Sequence, residues 1–245
     1  MDNPFSLSGK TILVTGASSG IGRQTCVSIA GMGGAVIASA RNEERLNETF
    51  SMMPSGNHRI IKADLSDSAE FETLVNDIEK IDGIVHSAGI AGLIPHKFYK
   101  KDSLRHFNEI NYEAPVLLTS SLLKNRKVVG GSSIIFISSI SSQIGIIGWG
   151  PYSGTKGALM AITKVLALEL AEKKIRVNCI SPGLVKTSLY EDPQLQKDLE
   201  VGTQLHPLGL GRPEDVANAC VFLLSDASRW ITGSDLIIDG GYTAK

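Results

Sequence analysis

Tyr152 and Lys156 stand four residues apart in Y-S-G-T-K, downstream of Ser139. If residues 152 to 170 are helical, that spacing sets phenol and ammonium on one face, one turn apart. A free tyrosine titrates near pH ~10 and exchanges its proton poorly at neutral pH, whereas a nearby cation stabilises the phenolate and lowers that value. Lys156 is the cation within reach, so the pair predicts a softened phenol that passes a proton to or from an alcohol oxygen. The hydroxyl of Ser139, with one donor and two lone pairs, would hold a carbonyl oxygen in place. Taken alone, Y-x-x-x-K also describes a solvated helix face.

The elements that must position this trio are legible as alternation. Short β-branched runs at 11–15, 35–40, 59–63, 83–87, 133–137, 176–180 and 235–239 are separated by segments of helical period near 20–32, 43–52, 68–79, 103–126, 152–172 and 213–225. Near-continuous apolar strands between helices predict a parallel sheet covered on both faces, a doubly wound α/β fold of Rossmann type with about seven strands. Pro213 followed by Glu214 and Asp215 predicts a helix start. No linker, repeat or low-complexity tract divides the chain, so residues 1–245 read as one domain. The stretch 183–211, with Pro193 and Pro207, interrupts the alternation and is expected to serve as a substrate loop or lid.

Directly after the first strand comes T-G-A-S-S-G-I-G, residues 15–22. Gly16, Gly20 and Gly22 let the backbone turn tightly and approach a pyrophosphate, while the amides of Ser18, Ser19 and Ile21 at the helix start offer hydrogen bonds and positive potential. The spacing is G-x-x-x-G-x-G rather than G-x-G-x-x-G, and such a turn by itself can be structural. At the first strand–helix junction it predicts a dinucleotide site. The second strand ends in A-S-A-R, where an acid would accept from a ribose 2′-hydroxyl and an arginine would pair with a 2′-phosphate. Arg41, with Ser39 beside it, therefore points to NADP(H). Arg41 as the start of a solvated helix with Glu43 and Glu44 leaves NAD(H) open.

Hydrophobic residues at 42%, charged residues at 20% and a net charge of −1 describe an ordinary globular chain with no electrostatic footprint for nucleic acid or an anionic membrane. The N-terminus lacks a secretory pattern and no apolar run approaches the ~18 residues of a membrane span, which predicts a cytoplasmic protein. Cys26, Cys179 and Cys220 are widely spaced in apolar surroundings and are expected to be buried free thiols, without a zinc site or disulfides.

With the glycine turn, Ser139, Tyr152 and Lys156, the chain resembles the short-chain dehydrogenase/reductase family in its compact branch. The resemblance runs nearly end to end, through Asp64-Leu65, Ala88-Gly89, Asn111, P-G-L-V-K-T at 182–187, G-R-P-E-D-V-A at 211–217 and T-G-S-D-L-I-I-D-G-G at 232–241. It implies that Asp64 contacts the adenine edge with Leu65 beside it, that Ala88 and Gly89 let the backbone pass the ribose, and that Lys156 binds the nicotinamide ribose. It also implies that Asn111 helps hold a proton-relay water, that Pro182, Gly183 and Val185 shape the nicotinamide pocket, and that Thr187 meets the carboxamide or pyrophosphate. Asn111 bonded to backbone, Thr187 as a cap and Asp64 opening an Asx-turn are the bland alternatives. One departure stands out: the family's N-N-A-G is here His86-Ser87-Ala88-Gly89, and His86 is expected to replace the asparagine structurally.

The reaction implied is interconversion of a ketone and a secondary alcohol with NADP(H). The substrate pocket is expected from Gln143, Ile144, Trp149, Gly150, the loop 89–95, and Leu184, Leu189 and Tyr190, mostly apolar positions that suit an acyl chain or other ketone better than a charged sugar. The closing segments are similar to those of 3-oxoacyl-[acyl-carrier-protein] reductases, implying fatty acid biosynthesis and an acyl carrier protein as partner. That partner would be received by Lys124, Arg126, Lys127, Lys173 and Lys174, which are equally solvated helix ends. A free sugar, secondary alcohol or hydroxysteroid is the alternative substrate, and a non-catalytic dinucleotide sensor a further one. The resemblance also implies a homotetramer built on the helices near 103–126 and 152–172.

Overall fold

β1 (Thr11–Thr15) puts Ile12 and Val14 on one face and Leu13 on the other, and all three are fully buried. Side chains alternate across a strand, so burial on both faces requires a layer of helices on each side. The computed structural model describes residues 3–187 and 202–244 and shows that arrangement. The remaining strands are β2 (Ala35–Ala40), β3 (Arg59–Lys62), β4 (Ile81–His86), β5 (Val128–Ile137), β6 (Arg176–Pro182) and β7 (Asp235–Ile238). They form one parallel sheet in the order β3-β2-β1-β4-β5-β6-β7.

The helices are α1 (Gly20–Gly31), α2 (Glu43–Met52), α3 (Ser68–Asp77), α4 (Lys101–Asn108), α5 (Ala114–Lys124), α6 (Gly150–Glu169) and α7 (Pro213–Leu224). Ile12 and Val14 join Cys26 and Ile29 of α1 and Val216 and Cys220 of α7 in one core. Leu13 joins Leu74 of α3, Leu118 and Leu122 of α5, and Leu159 and Ala167 of α6 in the other. The three cysteines are buried free thiols divided between these cores. Helix starts are capped locally: the Asn42 side chain accepts from the Arg45 amide at 2.9 Å, and Asp67 accepts from the amides of Ala69 and Glu70. Pro213 opens α7 as expected, with the Asp215 carboxylate accepting from the Arg212 amide at 2.7 Å.

Two expected elements differ. The strand expected at 133–137 begins at Val128, because Gly130 and Gly131 carry little strand signal and Gly131 takes a left-handed φ of 84°. The helix expected over 103–126 is interrupted by a π-helical stretch, Glu109–Glu113. Pro115 accounts for this, since it has no N–H to offer and its ring would collide with the carbonyl four residues back, at Asn111. Within the 183–211 stretch, residues 188–201 lie outside those described. Among the described residues no helix is long and apolar enough to cross a membrane.

The chain leaves β1 in one direction along the sheet to β2 and β3, then returns to β4 on the other side of β1. This reversal opens a crevice at the carboxyl ends of β1 and β4, the place where doubly wound sheets take ligands.

Candidate active site

A cavity of about 660 Å³ occupies that crevice, and the loops leaving the carboxyl ends of β1, β2, β4, β5 and β6 line it. At its centre the glycine turn is a cradle defined by what it excludes. A Cβ on Gly16, whose φ is +66°, would lie 2.7 Å from the Ala88 amide nitrogen, and one on Gly22 would collide with the Gly16 carbonyl. Ser19 precedes α1 in extended conformation without a side-chain cap, so the first amides of α1 face the cleft with no side-chain acceptor. Backbone donors at a helix start, beside positions where only glycine fits, suit a pyrophosphate.

At one end of the cleft lie Ser39, Arg41, Asp64 and Leu65. Arg41 reaches to 3.7 Å from Asp64 with its side chain 66% exposed. The Asp64 Oδ1 accepts from the Ser66 amide at 3.0 Å and from its hydroxyl at 2.7 Å, which is the Asx-turn alternative realised. Burial works to raise the Asp64 carboxyl, but Ser66 and Arg41 together hold it below its ordinary range. Arg45, one turn beyond Arg41 and also lining the cleft, was missed by sequence reasoning although its i+4 spacing was visible.

Ser139, Tyr152 and Lys156 line the other end. Ser139 caps a short 3-10 turn, accepting from the Ser141 amide at 3.2 Å, and hydrogen-bonds the Tyr152 phenol. Trp149 meets the Tyr152 ring edge-on at 5.2 Å. Lys156 is 5% exposed, donates to the Ile137 carbonyl at 2.7 Å, and sits 5.5 Å from the centroid of the Tyr152 ring. Its ammonium thus lies over the face of the Tyr152 ring. Burial pushes the Tyr152 phenol up to about 12, and the Ser139 hydrogen bond offsets only part of that rise. Burial likewise pushes Lys156 down to about 8. Desolvation disfavours either charged form and is the largest influence on both groups.

The other implied cofactor positions, Ser18, Gly20, Ile21, Ala88, Gly89, Pro182, Gly183, Val185 and Thr187, also line the cleft. Three expected site residues lie outside the cleft lining. Asn111 is 1% exposed and is not in the cleft wall; its Oδ1 accepts from the Ile90 amide at 2.8 Å while its Nδ2 donates to the Ile90 carbonyl and to Thr155. It braces the loop after β4 from behind, the backbone-bonded alternative. Gln143 does not line the cleft either, because its amide donates to the Asp235 carboxylate at 2.6 Å, across to β7. Ile144 is likewise outside the wall, and Ile146, two residues on, takes the place expected for it. Trp149 and Leu184 do line the cleft, whereas Leu189 and Tyr190 lie outside the described residues. The wall also includes Ile90 from the expected loop 89–95, Leu205 and His206 from the 183–211 stretch, and Ile140 and Tyr242, which no local signal marked.

His86 is buried behind the cleft, with Nε2 paired to the Thr119 hydroxyl at 2.8 Å and the ring stacked on Phe136 at 4.8 Å. Burial lowers its pKa to about 3, so the native ring is neutral. The unfolded chain takes up a proton below the ordinary value of 6.5, and the native state does so only near 3. Acid therefore removes stability between those values, by about 1.4 kcal/mol per pH unit. Replacing His86 by asparagine is expected to flatten that slope in denaturant-unfolding measurements and to leave the pH profile of activity unchanged. A lost pH limb in activity would contradict a structural role for His86.

A reversal-point crevice with a glycine cradle in its floor and a serine, tyrosine and lysine gathered at one end defines a class: oxidoreductases that act on CH–OH and C=O groups with a nicotinamide dinucleotide. Within that class the chain belongs to the short-chain dehydrogenase/reductase family. The family model described as Enoyl-(Acyl carrier protein) reductase matches residues 16–243. A 3-oxoacyl-[acyl-carrier-protein] reductase from Rickettsia felis is 35% identical over 238 residues, covering 97% of this chain and 98% of its own. Human L-xylulose reductase is 35% identical over 247 residues, with the same two coverages. A structure from Agrobacterium tumefaciens with bound NADP superimposes with a TM-score of 0.89 at 29% identity, covering 100% of both chains.

Proposed function

We propose that this chain is an NADP(H)-dependent reductase of 3-oxoacyl thioesters, with Tyr152 as the proton donor and Ser139 as the holder of the carbonyl oxygen. The observation that carries it is the catalytic end of the cleft. Ser139, Tyr152 and Lys156 stand there among Ile90, Ile140, Ile146, Trp149 and Leu184, a wall suited to an acyl chain. When bound, NADPH supplies the hydride. The amides that open α1 would hold its pyrophosphate, Arg41 would meet its 2′-phosphate and Lys156 its nicotinamide ribose. Tyr152 protonates the oxygen that Ser139 has positioned.

The acyl group would arrive on an acyl carrier protein, received at the exposed Lys124, Arg126, Lys173 and Lys174. Lys127 is withdrawn from that surface because its ammonium donates to the Asn76 carbonyl at 2.9 Å. Exposed apolar residues on α5 and α6, Leu117, Val165 and Leu168, support a homotetramer, which sedimentation equilibrium would register.

Reduction of a free sugar ketone is the second reading, favoured by the human L-xylulose reductase being as identical to this chain as the Rickettsia felis relative. NADPH oxidation measured with acetoacetyl thioesters beside xylulose and simple ketones separates the two. Preference for the thioesters is expected; preference for the sugar would select the second reading, and dinucleotide binding without turnover would defeat both.

A further inference from the structure

His206 lines the cleft yet has no part in the chemistry above. Its ring is 4% exposed, and backbone engages both nitrogens: Nδ1 lies 2.6 Å from the Gly202 carbonyl oxygen, and the Leu184 amide donates to Nε2 at 3.2 Å. A carbonyl only accepts and an amide only donates, so Nδ1 carries a proton and Nε2 accepts. The imidazole packs on Tyr242 with centroids 4.8 Å apart. Gly183 fits against it only because it lacks a side chain, since a Cβ there would lie 2.7 Å from Nε2 and 2.9 Å from the Asp239 Cα.

Two segments far apart in sequence therefore meet at one ring, the end of β6 with Gly183 and Leu184 and the turn after β7, while Gly202 lies one helical turn before His206 itself. The same region is tied by backbone bonds from the Gly183 amide to Ile238 (2.9 Å), from Gly211 to Leu184 (2.9 Å) and from Leu208 to Gly240 (3.0 Å). The Leu184 amide has its acceptor on a side chain instead, and that acceptor is His206.

We propose that His206 is a positioning residue for the dinucleotide: its Nδ1-protonated imidazole fixes the Gly183–Leu184 backbone that forms the wall of the nicotinamide end. The proposal rests on the assignment of this cleft to NADP(H). Phenylalanine would keep the ring's bulk and its packing on Tyr242 but leave the Leu184 amide and Gly202 carbonyl unpaired, whereas glutamine carries one acceptor and one donor.

The test is the Kd for NADPH by fluorescence titration, with kcat and KM alongside. H206F is expected to weaken NADPH binding about tenfold with kcat changed less than about threefold, and H206Q to recover affinity to within about threefold of the parent. Parental affinity in H206F, or equal losses in both variants, overturns the proposal. A parent that binds no NADPH overturns the cofactor assignment and the proposal with it, which distinguishes the two failures. Should H206F not yield folded protein, nitrogen-15 NMR of histidine-labelled parent decides: a ring at 206 protonated on Nδ1 supports the proposal, and one protonated on Nε2 overturns it.

Discussion

Replacing Tyr152 by phenylalanine is expected to lower turnover about 10³-fold while leaving NADPH affinity within about twofold of the parent, the span of a lost general acid. The substitution removes one oxygen. The ring keeps its edge-on contact with Trp149 and its place beneath the Lys156 ammonium, and Ser139 keeps its bond from the Ser141 amide. Burial that holds the phenol near 12 does not defeat its role in reduction. The conjugate acid of an alkoxide is far weaker still, near the ~15.7 of water, so proton transfer from such a phenol to a developing alkoxide runs downhill. The same burial handicaps the reverse role, since a phenol protonated at neutral pH is a poor base for alcohol oxidation.

Reduction should therefore dominate near neutrality, and oxidation should rise toward alkaline pH. Lys156, pushed down to about 8, keeps its charge on the acid side of that value and loses it above. Reduction is accordingly expected to decline as pH rises through about 8. Steady-state kcat across pH with a fluorescence titration of NADPH checks these outcomes, and undiminished turnover in Y152F would sink the proton-transfer assignment.

Replacing Arg41 by glutamate is expected to reduce the preference for NADPH over NADH, as the ratio of kcat/KM values, by about 10²-fold. In the parent, Arg41 faces Asp64 at 3.7 Å, a mostly exposed pair of the kind worth roughly 0–1 kcal/mol. A 2′-phosphate offers a larger charge and shorter, charge-assisted hydrogen bonds, so under the proposed function it would displace Asp64 from the arginine at little loss. Glutamate at 41 reverses the sign of that encounter and would accept from the 2′-hydroxyl of NADH. Arg45 remains in the wall and keeps some attraction for the phosphate, so the double replacement of Arg41 and Arg45 should carry the shift further. An unchanged ratio in the Arg41 variant would remove that residue from the phosphate site.

The strands and the glycine turn were readable because their causes are local. β-branched runs such as 11–15 and 35–40 announce buried strands by composition, and Gly16, Gly20 and Gly22 announce a turn by their spacing directly after the first strand. Where a local cause pointed elsewhere, the reading slipped. Gly130 and Gly131 mask the first half of β5, and Pro115 turns the stretch before it, Glu109–Glu113, into a π-helix that helical period does not reveal.

The spacing of Tyr152 and Lys156 by itself determined that both would lie on one helix face, and the alternation of runs determined which residues end strands at the cleft. Only the folded chain decided what those residues do to one another. Lys156 turns to the Ile137 carbonyl and the ring face, Gln143 leaves the cleft for a carboxylate on β7, Asn111 spends its amide on Ile90, and His206 joins the end of β6 to the turn after β7. Helix and strand signals repeat every few residues and can be read along a line. Desolvation and hydrogen-bond competition sum over every neighbour in space, and for these side chains most of those neighbours are supplied by distant parts of the sequence.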